Sequence, residues 1–147
     1  MFATFTALFL AASAPPQAAH SRPAPGVRTY AEGQVWRYRA RPGEGRSLLK
    51  IQKIEVLPEH AAHGPVYHIS VIGLKLAPNI VGALPHAPVS RETLDASVTH
   101  LSRNRPEFPA VEPGIEEWRR AQGGVFTITV AQIAEFLDRS TRGLPAD

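Results

Sequence analysis

An α+β fold, a mainly antiparallel sheet of about four strands with about three helices packed on one face, is predicted by three observations. Segments of alternating apolar residues come first along the chain, and segments with apolar residues three and four apart come later. Neither an internal repeat nor a regular βαβ succession connects them. A chain of 147 residues can bury one continuous core without metals or disulfides, so one domain is expected.

Taken in order, Phe2 to Ala12 is an apolar run interrupted only by threonines, followed by the small-residue stretch Ser13 to Ala19. This pattern predicts a secretory signal over residues 1–19, although its first residues carry no Lys or Arg. The run is too short to span a bilayer, and no integral membrane span is expected in the mature protein. Residues 20–29 are rich in Pro and Ala and predict a flexible entry segment, leaving 30–143 as the single α+β domain.

Gln34 to Ala40 alternates strictly, with Trp36, Tyr38 and Ala40 on one face and Arg37, Arg39 and Arg41 on the other, which predicts a half-buried strand. Pro42-Gly43-Glu44-Gly45 supplies a hairpin turn. The next strand, Ser47 to Val56, changes phase between Leu49/Ile51 and Ile54/Val56, and a bulge near Gln52 explains the change. Val66 to Leu76 is apolar on both faces and is expected to be the central strand. Pro78 to Pro88 holds three prolines and is expected to be irregular. Ser90 is an N-cap for a helix from Arg91 to about Ser102 carrying Leu94, Val98 and Leu101. Ile115 and Trp118 lie on a short helix ended by Gly123-Gly124. Val125 to Thr129 alternates as a short strand. Thr129 and Gln132 have capping-box spacing for a last helix with Ile133, Phe136 and Leu137, stopped by Arg142-Gly143. The helices thus offer Leu94, Trp118 and Phe136 to the sheet.

The segment Gly33 to Glu44 (GQVWRYRARPGE), with Leu84 to Ser90 (LPHAPVS), Trp118-Arg119 and Phe126-Thr127-Ile128, resembles a pattern shared by small uncharacterised bacterial exported proteins. That resemblance implies no activity and no catalytic residues.

Lys plus Arg is 16 against 13 for Asp plus Glu, a net charge of +3. Acids interrupt the basic residues through most of the chain, so a nucleic-acid surface is not expected. There is no cysteine, which excludes disulfides, thiolate zinc sites and cysteine nucleophiles. His60, His63 and His68 are spaced across a loop and the start of a strand and form one candidate metal set, since neutral imidazoles bind zinc, nickel or copper. No H-E-x-x-H motif supports it, and no cofactor is expected. His86 lies in a rigid proline-rich loop close to Ser90, but no G-x-S-x-G accompanies the pair. Arg37, Arg39 and Arg41 form a basic stripe suited to a protein partner with an acidic surface. Without a complete catalytic constellation, the expectation is an exported, periplasmic or secreted, non-catalytic binding or protein-interaction module, immunity-like or envelope-associated. The alternative is a small histidine-dependent hydrolase or metal-binding enzyme.

Overall fold

The computed structural model describes residues 26–145, so the expected signal segment lies outside the described residues. Five antiparallel strands form one sheet in the order β4-β3-β2-β1-β5: β1 Val35–Tyr38, β2 Leu48–Glu55, β3 Val66–Lys75, β4 Val81–Val89 and β5 Val98–Leu101. The helices are α1 Arg91–Ser97, α2 Glu112–Arg120 and α3 Val130–Thr141, with a short 3-10 segment at Pro58–His63. The α+β class holds, with one strand more than expected. Among the described residues no helix is long and apolar enough to cross a membrane.

The first two strands follow from their alternation. Trp36 and Tyr38 enter the core with Leu49 and Ile51, and the β2–β3 register shifts between Ile51 and Lys53, where the phase change at Gln52 required a bulge. β2, not β3, is the centre of the sheet. Ser90 caps α1 by accepting from the Thr93 amide, and Thr129 with Gln132 forms the capping box of α3. Each cap satisfies amides that the first helical turn leaves without partners.

Three segments depart from expectation. Val81 to Val89 is an edge strand despite Pro85 and Pro88, because an edge position leaves one side of its backbone without a ladder to complete. The helix after Ser90 ends at Ser97, and the β-branched Val98-Thr99 begins β5, which pairs with β1. Val125 to Thr129 shrinks to one parallel bridge between Val89 and Phe126.

Helices cover both faces of the sheet, not one. Tyr67, Ile69 and Val71 of β3 point into the main core with Leu94 of α1 and Val130, Ile133 and Ala134 of α3. Phe136 is outside that core and half exposed. Successive strand residues face opposite ways, so His68 and Ser70 line the other face. There the His68 ring meets Trp118 of α2, and Gly114 of α2 lies against His86 of β4. Trp118 is buried but belongs to this second layer.

Candidate functional site

Three neighbouring strands place one polar side chain each in a row under α2. On β2, Lys53 and Glu55 share odd numbering with Leu49 and Ile51, which point into the core. The bulge at Gln52 reverses the phase, so Lys53 stands opposite His68 on the α2 face and Glu55 follows two residues later on the same face. On β4, Ala87 and Val89 point into the core, so the intervening Pro88 opposes His68 and His86 falls beside it.

The three groups form a chain of hydrogen bonds. Glu55 Oε2 lies 3.2 Å from His68 Nε2, and His68 Nδ1 lies 2.9 Å from His86 Nε2. The two imidazoles stack, with centroids 5.1 Å apart and planes 22° apart. An ionised carboxylate only accepts, so Glu55 selects the His68 tautomer protonated at Nε2. His68 Nδ1 then accepts from His86 Nε2–H, which leaves the lone pair of His86 on Nδ1.

Charges around the row settle its ionisation. Burial resists a charge on Glu55, but the hydrogen bond and charge of Lys53, 2.7 Å away, and the ion pair with Arg119 outweigh it and hold the carboxyl below its usual range. Burial lowers His68. The Glu55 carboxylate opposes this, while Arg119 and Lys53 add to it, and the result stays below the ordinary histidine value. His86 is pushed down to about 4, by burial first and by His68 second. Both rings are therefore neutral at pH 7.

Beside this row an open cleft of about 660 Å³ lies between the 3-10 segment and the last turn of α2, walled by His60, Trp118, Arg119 and Gln122, with Leu57 and Glu59 at its edge. His60 stacks on the indole of Trp118 at 5.2 Å, whose Nε1–H donates to the Gly124 carbonyl at 2.9 Å. The next turn lies so close to the indole that a Cβ on Gly123 would overlap Trp118 Cδ1.

The expected site residues fare differently. Of the proposed metal set, His60 stacks on Trp118, His63 is exposed on the 3-10 segment and His68 is buried under α2. Among the described residues no group of three or more His, Asp or Glu side chains is arranged to hold a metal ion. Even in the Glu55–His68–His86 row, the ligating atoms face one another along a chain rather than converging on a point. His86 does not engage Ser90, which is fully buried as the α1 cap.

The arginine stripe is broken as well. β1 ends at Tyr38, so strict alternation does not reach Arg41, whose guanidinium turns to Glu44 at 2.5 Å, Glu135 at 3.0 Å and Asp138 at 3.1 Å. Arg37 and Arg39 each donate to a backbone carbonyl, of Gly45 and Ala96. The three guanidinium groups therefore do not form one aligned row on β1.

Glu55, Trp118 and Arg119 were not singled out as site residues from the sequence. The bulge signal at Gln52 contained the placement of Glu55 beside His68, whereas the His68–His86 bond required Val81 to Val89 to be a strand. No family model, no curated protein and no solved structure matches the chain.

Proposed function

We propose that this chain is a non-catalytic binding module, exported to the periplasm or the medium, whose ligand surface is the Trp118 cleft. The observation that carries this reading is the cleft itself. Its volume of about 660 Å³ falls in the range of small-molecule sites, and it combines aromatic walls with a few polar groups, as such sites do. Arg119 and the Gln122 amide offer donors, Glu59 an acceptor, and Leu57, His60 and Trp118 apolar or aromatic surface. The mixture suits a small planar ligand, or a side chain of a partner, that carries both donors and acceptors.

Among the described residues, neither serine nearest the histidine pair is free to act as the nucleophile the hydrolase alternative needs. Ser70 Oγ donates to the Pro85 carbonyl at 2.5 Å, Ser90 is consumed as a cap, and His86 spends its Nε2 on His68. A general base needs the group it deprotonates within hydrogen-bond reach.

A fragment screen by amide chemical-shift mapping tests the reading, with planar donor–acceptor heterocycles in one arm and purely aliphatic acids in the other. Heterocycles should shift residues 57–60 and 118–123, and Trp118→Phe should weaken them. Shifts confined to another surface, or ester or amide hydrolysis lost in His86→Gln, would overturn it.

A further inference from the structure

We propose that the stacked His68–His86 pair is an acid-sensitive latch: while both rings are neutral it holds α2 on the sheet, and protons loaded onto the pair release α2 together with its wall of the cleft. This goes beyond the binding reading and does not depend on the cleft having a ligand.

The geometry makes two protons very different from none. In the neutral state every shared hydrogen has one donor and one acceptor, from His86 Nε2–H to His68 Nδ1 and from His68 Nε2–H to Glu55. A first proton can be accommodated. His68 then donates from both nitrogens, and His86 shifts its own hydrogen to Nδ1 and accepts through Nε2. A second proton leaves two N–H groups facing each other across 2.9 Å, in rings stacked with centroids 5.1 Å apart. No rearrangement of tautomers relieves that contact.

The surrounding charges do not relieve it either. From β2, Glu55 faces the pair but is already shared with Lys53 of its own strand and Arg119 of α2. Two acids of α2, Glu112 and Glu116, line the far side of Arg119 with Lys53 and are exposed. From the 3-10 segment, His60 stacks on the indole of Trp118, and Glu59 edges the cleft in solvent. The remaining direction is closed by Gly114, whose Cα lies so near that a Cβ there would overlap the His86 side chain. The pair can escape its charge only by moving apart from α2, and α2 rests on it through Gly114 and Trp118.

The released state takes up protons like an ordinary histidine, near pH 6.5, whereas His86 in place takes one up near 4. Acid therefore favours release across the window from about 6.5 to 4, and neutral pH favours the latched state. Glu55 remains ionised over most of that window, so the histidines are the trigger. Allowing for the solvent that reaches His86, the opening equilibrium of α2 should rise about tenfold between pH 7.5 and pH 5.

Hydrogen exchange of the full chain at pH 7.5 and pH 5, corrected for intrinsic rates, tests this. Protection of residues 112–120 should fall about tenfold through an opening of lower free energy than the global unfolding that exposes residues 130–141 of α3. His86→Gln keeps an N–H for His68 Nδ1 and does not titrate, so it should flatten the response. If that variant does not fold at pH 7.5, His86→Phe, which keeps the stacked ring, takes its place. His60→Gln should keep the wild-type response. The proposal is overturned if residues 112–120 open at pH 5 only with the same free energy as α3, or if the folded His86 variant still responds as wild type. Imidazole titration by NMR decides independently of any variant. Ring pKa values well below 6.5 support the latch, and a value at or above 6.5 for both rings overturns it.

Discussion

Beneath α1 and α3 the sheet presents Leu49, Ile51, Ile69, Val71 and Val89, all fully buried. Beneath α2 the same strands present His68, Ser70 and His86, held by Glu55, Gln52 and Arg119. The apolar face is held by burial that needs no direction, at about 25 cal/mol per Å² removed from water. On the polar face each group needs a partner with the right lone pair or hydrogen, and among the described residues no buried side-chain nitrogen or oxygen lacks one. An apolar layer responds to lost volume. A polar layer responds to lost volume and also to protons.

The largest break falls on the apolar side. Ile69→Ala removes a fully buried side chain from the middle of β3 and should cost about 4 kcal/mol in denaturant unfolding, without altering how stability depends on pH. Trp118→Ala, on the polar side, should cost about 3 kcal/mol, and also open the cleft and loosen His60 and His68. A loss within ±0.5 kcal/mol would put Trp118 among ordinary surface positions.

Gly114→Ala sharpens the contrast. Alanine ordinarily stabilises a helix interior by about 1 kcal/mol over glycine, yet here the new Cβ would overlap His86 Cβ. Overpacking should win, for a net loss of about 2 kcal/mol; a net gain would show that α2 does not press on the histidine. Acidification is a smaller effect. His86 and His68 are both lowered in the folded state, so the unfolded chain binds more protons and stability falls as pH drops from about 6.5 towards 4. After discounting for partial exposure of His86, we expect a loss of about 1 kcal/mol by pH 5, measured by urea titration and absent in His86→Gln. Smallest of all, Arg39→Gln, at an exposed position just past the end of β1, should stay within ±0.5 kcal/mol, and a larger effect would mean that its bond to the Ala96 carbonyl fixes the position of α1.

Much of the apolar face was legible along the chain. Alternation located β1 and β2, a run apolar on both faces located β3, the phase change located the bulge, and Ser90 and Thr129 located two helix starts. These are signals between residues a few positions apart, where sterics and capping act. Val98 to Leu101 was misassigned because apolar spacing there fits the end of a helix as well as a strand, and only the vacant edge of β1 decides between them. Arg41 was misassigned because alternation was extended past the end of β1 into a turn, where acids from α3 compete for the guanidinium.

The amino-acid sequence by itself determined the α+β class, the order of the first strands and the caps of α1 and α3, because each rests on local periodicity and local hydrogen bonds. Only the tertiary structure decided that α2 crosses to the second face, that Pro85 and Pro88 sit in an edge strand, and that Glu55, His68 and His86 meet. Those three residues are separated by 13 and 18 positions, and their meeting depends on the register of two strand pairs, each shifted by a bulge. A one-residue slip in either pair would turn one partner to the other face.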